Sequence, residues 1–131
     1  MIRYPYLFGP TKFMILSSIV LFSLAIALGL GIVVLGLRYK RSSLLLAVGH
    51  LTFALLGLGF LMNQIFIGPL YKLYNLSALL FFLALFGGLV LLTFRIGKRE
   101  YRSAPPMSMV AIHAVTGLLA LLLLVVGYTK Y

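Results

Sequence analysis

Residues 13–37 read FMILSSIVLFSLAIALGLGIVVLGL and contain no charged side chain. A helix that rises about 1.5 Å per residue needs roughly 20 apolar residues to cross the hydrocarbon core of a bilayer. Three further runs of this kind lie at about residues 42–67, 76–94 and 107–128. The sequence therefore predicts four transmembrane helices.

The composition of the whole chain suits lipid better than water. Of the 131 residues, 63% are hydrophobic and 9% are charged, which is too apolar for a soluble domain of this size. Prolines and tyrosines fall at the edges of the apolar runs, where proline does not break a helix and tyrosine favours the lipid–water interface. We expect residues 1–131 to form one all-α integral membrane domain, a four-helix up-down-up-down bundle.

Positive charge is concentrated in two connections. The loops after the first and third runs hold most of the 11 Lys and Arg residues, namely Arg38, Lys40, Arg41, Arg95, Lys98, Arg99 and Arg102. Basic loops stay on the cytoplasmic side, so both termini should lie on the opposite side of a cell inner membrane or its organelle equivalent. Such charges set topology and attract lipid headgroups, and this placement argues against nucleic-acid binding.

The first and third runs carry small residues at matching positions. When Arg38 is superposed on Arg95, Gly31 falls on Gly88, and the alanines four residues earlier also coincide. The chain then reads as two repeated helical hairpins. Close helix packing alone also explains small residues spaced by four in a membrane.

The only two histidines lie on the second and fourth predicted helices. His50 is nine residues, or about 13 Å, beyond Arg41, and His113 is seven residues, or about 10 Å, beyond Pro106. These helices are diagonal in an up-down-up-down bundle, so the imidazoles should meet across its interior. Ionisable groups inside a membrane tend to be functional.

Small residues should surround the two imidazoles. Gly31 and Gly88 are expected in the same layer on the other diagonal, and two nitrogen ligands beside two positions without bulk suit a flat macrocycle with a central metal. Ala54 and Gly117, each four residues beyond a histidine, leave further space on that face. Thr116 should contact either the cofactor or its own helix.

With these residues the chain resembles the four-helix membrane b-type cytochromes, which include the cytochrome b561-like proteins and the haem-bearing bundle of quinol-oxidising cytochrome b. The resemblance covers the architecture of all four spans and rests on His50, His113, Gly31 and Gly88. It implies histidine ligands to haem b on alternate helices and glycines that make room for the porphyrin. Many members hold two haems, whereas two histidines allow one, which does not suit transmembrane electron transfer by this chain alone.

A single bis-histidine haem has both axial positions closed. The resemblance therefore implies electron transfer within a larger redox complex, with other membrane subunits as partners and no catalysis by this chain alone. The absence of Cys excludes iron–sulfur ligation and covalently attached haem. Near the end of the second helix, Asn63 and Gln64 are candidates to contact a nearby quinone or another subunit. Candidate counter-charges for the haem propionates are Arg38, Arg41, Arg95 and Arg102.

Two other functions remain open on sequence alone. A cofactor-free structural or assembly subunit would use the histidines only for hydrogen bonds between helices. A pigment-binding subunit of a photosynthetic complex would hold a chlorophyll on one lipid-facing histidine. The apolar runs contain no carboxylate, and no phosphate loop or activated nucleophile indicates an enzyme.

Overall fold

The computed structural model describes residues 10–96 and 104–131, and this part of the chain is helical apart from its short connections. The helices are α1 (Pro10–Tyr39), α2 (Leu44–Ile67), α3 (Lys72–Thr93) and α4 (Met107–Lys130). All four are long and apolar enough to cross a membrane. The prediction of an all-α four-helix fold is confirmed.

Local signals mark the ends of α1 and α2. The Ser43 hydroxyl accepts a hydrogen bond from the Leu46 amide at the start of α2, which satisfies one of the free donors of the first turn. Gly68 and Pro69 follow α2. Lys40 has a φ of 52° in the tight α1–α2 connection, and this left-handed residue lets the chain reverse direction within a few residues.

The helices pack as two hairpins. α1 lies along α2, and α3 lies along α4. The hairpins contact each other through α1 with α4 and through α2 with α3. α1 and α3 are therefore diagonal, as are α2 and α4, which is the arrangement of an up-down-up-down bundle.

The outward faces of the helices are apolar. Leu45 is 83% exposed, Ile112 68% and Phe86 64%. Apolar surface of this extent is costly in water, whereas lipid chains cover it in a membrane. The surface of the bundle thus agrees with the length and hydropathy of its helices in indicating a membrane protein.

Two buried serines show that the hairpins repeat one another. The Ser18 hydroxyl on α1 donates to the Gly57 carbonyl on α2 at 2.8 Å, and the Ser77 hydroxyl on α3 donates to the Ala120 carbonyl on α4 at 2.8 Å. Residue 18 thus corresponds to residue 77, a shift of 59, and residue 57 to residue 120, a shift of 63. The same shift of 63 places His113 on His50.

The sequence follows this structural repeat closely. Residues 18–30 read SIVLFSLAIALGL and residues 77–89 read SALLFFLALFGGL, with Ser, Leu, Phe, Leu, Ala, Gly and Leu in common. Residues 50–61 read HLTFALLGLGFL and residues 113–124 read HAVTGLLALLLL, with His and four Leu in common. The two hairpins therefore resemble each other in sequence pattern and in contacts.

The register of the repeat differs by two residues from the one expected from the basic loops. Gly88 corresponds to Gly29 and not to Gly31. The superposition of Arg38 on Arg95 was wrong because Arg38 lies nine residues beyond Gly29, whereas Arg95 lies seven residues beyond Gly88. Basic residues at the two loops therefore do not occupy equivalent helix positions.

Buried side chains are concentrated in the half of the bundle that is remote from the basic loops. We call residues 10–25, 57–84 and 120–131 the packed half, and residues 26–56, 85–96 and 104–119 the loose half. In the packed half the rings of Phe22 and Phe81 stack across the α1–α3 diagonal, with centroids 3.5 Å apart and planes at 6°. The loose half, as far as it is described, contains one buried side chain, Ala47.

Removal of either buried serine hydroxyl should weaken the bundle. We expect Ser18→Ala and Ser77→Ala each to lower the free energy of unfolding by about 0.5–1 kcal/mol, because hydrogen bonds between membrane helices contribute about 0.6 kcal/mol on average. Ser23→Ala is the matched control, since Ser23 is exposed and bonds a carbonyl of its own helix. Unfolding in detergent measures the difference, and equal stability of all three variants would contradict an interhelical role for the two serines.

Candidate functional site

Backbone carbonyl groups of the preceding helix hold both histidine rings. His50 Nδ1 lies 2.6 Å from the carbonyl oxygen of Ala25, and His113 Nδ1 lies 2.9 Å from that of Ala84. Ala25 and Ala84 are equivalent in the repeat, so the same arrangement occurs twice. Each hydrogen bond joins the two helices of one hairpin.

These bonds decide where the proton lies on each ring. A carbonyl oxygen only accepts hydrogen bonds, so Nδ1 must carry the proton that is donated. In a neutral imidazole, Nε2 then keeps a free lone pair. Histidines that bind metals are commonly held in this way, with one nitrogen donating to a carbonyl and the other left for the metal.

The two imidazoles meet across the α2–α4 diagonal, as the spacing of the histidines predicted. Their centroids are 5.9 Å apart and their planes cross at 69°. With metal–nitrogen bonds of about 2 Å, two ligating nitrogens lie about 4 Å apart and their ring centroids about 2 Å farther. The observed centroid separation of 5.9 Å agrees with that size, and it also lies in the range of an edge-to-face contact between two rings.

The described residues supply no third ligand. Within residues 10–96 and 104–131, no group of three or more His, Cys, Asp or Glu side chains could hold a metal ion. Zinc takes three or four protein ligands of this kind. A metal shared by the two histidines would thus need further ligands from another source, such as the four nitrogens of a porphyrin.

A glycine lies against each ring. A Cβ atom at Gly29 would be 3.1 Å from His50 Cε1, and one at Gly88 would be 3.0 Å from His113 Cε1. Gly88, which we expected to clear space for a porphyrin, directly accommodates an imidazole. Gly31 does not reach this layer, because a Cβ atom there would meet Leu46. Gly31 therefore lies against Leu46, one turn before His50 on α2, and not against the imidazole that Gly29 contacts.

The residues one turn beyond the histidines are only partly covered. Ala54 and Gly117 are half-buried, and a Cβ atom at Gly117 would meet nothing within 4 Å. The Thr116 hydroxyl donates to the Ile112 carbonyl of its own helix at 2.7 Å. Space therefore remains beside Gly117. Of the two contacts predicted for Thr116, the structure shows the one with its own helix.

A groove lies beside His113 on the surface of the α3–α4 hairpin. It has a volume of about 340 Å³ and is lined by Leu83, Gly87, Met109, Ile112, His113 and Thr116. Leu83 and Ile112 are both more than half exposed. The groove therefore faces outward, toward the lipid.

The candidate counter-charges differ in burial. Arg38 and Arg41 are exposed, and the Arg38 guanidinium carbon lies 5.9 Å from the ring centroid of Tyr39. Nη1 of Arg95 is buried and has no hydrogen-bond partner among the described residues. Arg102 lies outside the described residues. Of the arginines that the structure describes, Arg95 alone thus offers a buried donor that is not satisfied.

The polar pair near the end of α2 lies apart from the histidines. Asn63 Nδ2 is 3.1 Å from Met14 Sδ, and Gln64 is 1% exposed, with no partner for Oε1. At the helical rise, Gln64 lies about 20 Å along α2 from His50. A quinone contact at this pair stays a prediction that is separate from the histidine site.

Sequence reasoning missed three parts of this site. They are the carbonyl groups that hold the rings, the contact of Gly29 with His50, and the stacked pair of Phe22 and Phe81. The repeated string S-x-x-L-F-x-L-A-x-x-x-G-L is the signal that identifies them. Alignment on this string, instead of on the arginines, yields the observed register.

Comparison of the chain with protein-family models, with curated proteins and with solved structures gives no match. A four-helix bundle by itself does not imply a function, because this architecture carries many different sites. The function must therefore be argued from the geometry of the site.

Proposed function

We propose that this chain is a membrane b-type cytochrome subunit that holds one haem b between His50 and His113. The observation that carries the proposal is the pair of imidazoles, each held through Nδ1, whose centroids are 5.9 Å apart. Two histidines are a common axial ligand set for haem iron. A bound haem of this type supplies reversible one-electron transfer at its iron.

The packing of the bundle supports a bulky group on the side of the basic loops. On the other side, the stacked rings of Phe22 and Phe81 occupy the α1–α3 diagonal. Protein interiors are normally close-packed, yet Ala47 is the one buried side chain among the described residues of the loose half. The low burial of side chains in the loose half supports the placement of a porphyrin there, and the stacked phenylalanine rings leave no such room in the packed half.

Arg95 favours the same placement. Its buried Nη1 has no partner among the described residues, and a buried donor without a partner is costly, the more so when it is charged. A haem propionate would satisfy this donor through a charge-assisted hydrogen bond. Arg38 and Arg41 are exposed and are better explained as charges that orient the chain in the membrane.

The proposed role is electron transfer within a larger membrane complex. His50 and His113 would hold the haem iron from both sides and would leave no free position for oxygen or a substrate. The chain would therefore exchange electrons with other membrane subunits of a respiratory or photosynthetic complex, as its resemblance to membrane b-type cytochromes implies. The excess of Lys and Arg in two loops supports a cytoplasmic location for those loops, with both termini on the opposite side.

A cofactor-free assembly subunit is the second candidate. The serines Ser18 and Ser77 bond carbonyl groups across each hairpin, and the two histidines make bonds of the same kind. In this function the imidazoles only stabilise helix pairs. The assembly function uses neither the loose half nor the buried Nη1 of Arg95, so we prefer the cytochrome.

Absorption spectroscopy tests the cytochrome proposal. Protein purified from haem-replete cells should show a haem b α-band in its reduced-minus-oxidised spectrum. His50→Ala and His113→Ala should each abolish the band, because one axial ligand is lost. Thr116→Ala is the matched control and should keep it, since Thr116 bonds only its own helix.

Two outcomes would reject the cytochrome. A featureless spectrum from folded wild-type protein would leave the assembly function, in which both histidine variants still assemble with partner subunits. Extraction of a chlorophyll in place of haem would favour the pigment-binding function.

Arg95→Gln should lower the midpoint potential of the haem by tens of millivolts, because a positive charge near the propionates stabilises the more negative, reduced state. For a one-electron couple, about 59 mV corresponds to a tenfold change in the equilibrium constant. Arg38→Gln is the control, because its exposed charge is screened by salt. A redox titration measures both variants, and equal shifts would contradict a propionate contact for Arg95.

A further inference from the structure

We propose that Gly29 and Gly88 are positioning residues for the two histidines. Each glycine, together with the carbonyl group four residues before it, fixes the direction of one imidazole. The consequence for a haem rests on the proposed function. The orientation of the rings does not, and it can be measured on its own.

The carbonyl group supplies one half of this arrangement. An oxygen in a helix accepts one hydrogen bond from the amide four residues later, and its second lone pair can accept another. His50 Nδ1 uses that second site on Ala25, and His113 Nδ1 uses it on Ala84. Each ring is therefore anchored at two points, its covalent bond to Cβ and its hydrogen bond at Nδ1.

The glycine leaves the room that this ring orientation needs. Residues four apart lie on the same face of a helix, so each ring lies over the glycine that follows its carbonyl partner. A Cβ atom at Gly29 would be 3.1 Å from His50 Cε1 and 3.2 Å from Nδ1, and one at Gly88 would be 3.0 Å from His113 Cε1. The imidazoles thus lie where an alanine methyl group would push them away.

The repeat separates this role from ordinary helix packing. Ala25 and Gly29 recur as Ala84 and Gly88, whereas other residues near the rings change between the hairpins, such as Leu28 to Gly87. A glycine that serves only close helix packing does not need a hydrogen-bonded histidine beside it. Here each glycine recurs together with the hydrogen bond between a histidine and the alanine carbonyl four residues earlier.

The remaining glycines that the structure describes make no such close contact with a histidine, and a Cβ atom at Gly87 would meet His113 Nδ1 at an ordinary distance of 3.7 Å. A Cβ atom at Gly36 would meet nothing within 4 Å, although Gly36 lies on the same helix as Gly29. Gly36 therefore offers a matched control for the effect of an added methyl group on helix propensity alone. At Gly31 the added atom would make only an ordinary contact of 3.7 Å with Leu46.

The test is nitrogen NMR on protein labelled with ¹⁵N-histidine and kept reduced, so that any low-spin haem is diamagnetic. Wild-type protein should show both rings protonated at Nδ1. Gly29→Ala should shift the signals of His50 and leave those of His113, Gly88→Ala should do the reverse, and Gly36→Ala should shift neither. The variant His50→Gln assigns the two sets of signals.

A second readout applies to protein that contains haem. The angle between two axial imidazole planes determines the anisotropy of the ferric low-spin EPR signal, and here the planes cross at 69°. Gly29→Ala and Gly88→Ala should change that signal, and Gly36→Ala should not. A role in folding alone would lower the yield of protein without moving the spectrum of the molecules that fold.

The outcomes of the two proposals can be told apart. Glycine variants that match Gly36→Ala in both spectra would overturn the positioning role, even if the haem band is present. Wild-type rings protonated at Nε2 would also overturn it, and this measurement needs no variant to fold. A wild-type protein without haem whose rings respond as described would retain the positioning role and reject the cytochrome.

Discussion

The hydrogen bond from a histidine ring to a helix carbonyl is the interaction on which this site depends. An imidazole among apolar helices needs a partner for its N–H group, since an unpaired buried donor costs about 1–3 kcal/mol. The apolar runs contain no Asp or Glu, so the backbone is the available acceptor. Donation from Nδ1 to Ala25 or Ala84 fixes the direction of the ring. It also places the proton of a neutral imidazole on Nδ1 and leaves the lone pair of Nε2 free.

The packed half keeps these carbonyl groups in place. Ser18 and Ser77 join the helices of each hairpin, and the stacked rings of Phe22 and Phe81 join the hairpins to each other. All four residues lie within about two turns of the helix carbonyls that hold the imidazoles. The histidines are therefore held although few side chains of the loose half are buried, because the carbonyl groups that bind them belong to the packed half.

Much of the fold could be predicted from the sequence, and less of the site. Run lengths determine the four spans, and equal depth on diagonal helices makes His50 and His113 meet, whatever the details of packing. The register of the repeat depends on how far α1 and α3 extend past their glycines, which the apolar pattern does not reveal. An error of two residues rotates a side chain by about 200°, so Gly31 was expected where Gly29 lies. Contacts of single rotamers, such as the bond of Thr116 to its own helix, are not encoded in a pattern of spans.

The two histidines are held alike but do not have the same surroundings. In the first hairpin Leu28 packs 3.3 Å from where a Cβ atom of Gly49 would lie, and the bulk of that leucine covers the helix pair beside His50. The corresponding residue of the second hairpin is Gly87, and the groove beside His113 is present there. The two hairpins thus share the hydrogen bonds that hold the rings and differ in the residues beside them. A cofactor between the rings would have two equivalent ligands and, on the His113 side, a neighbouring groove that faces outward.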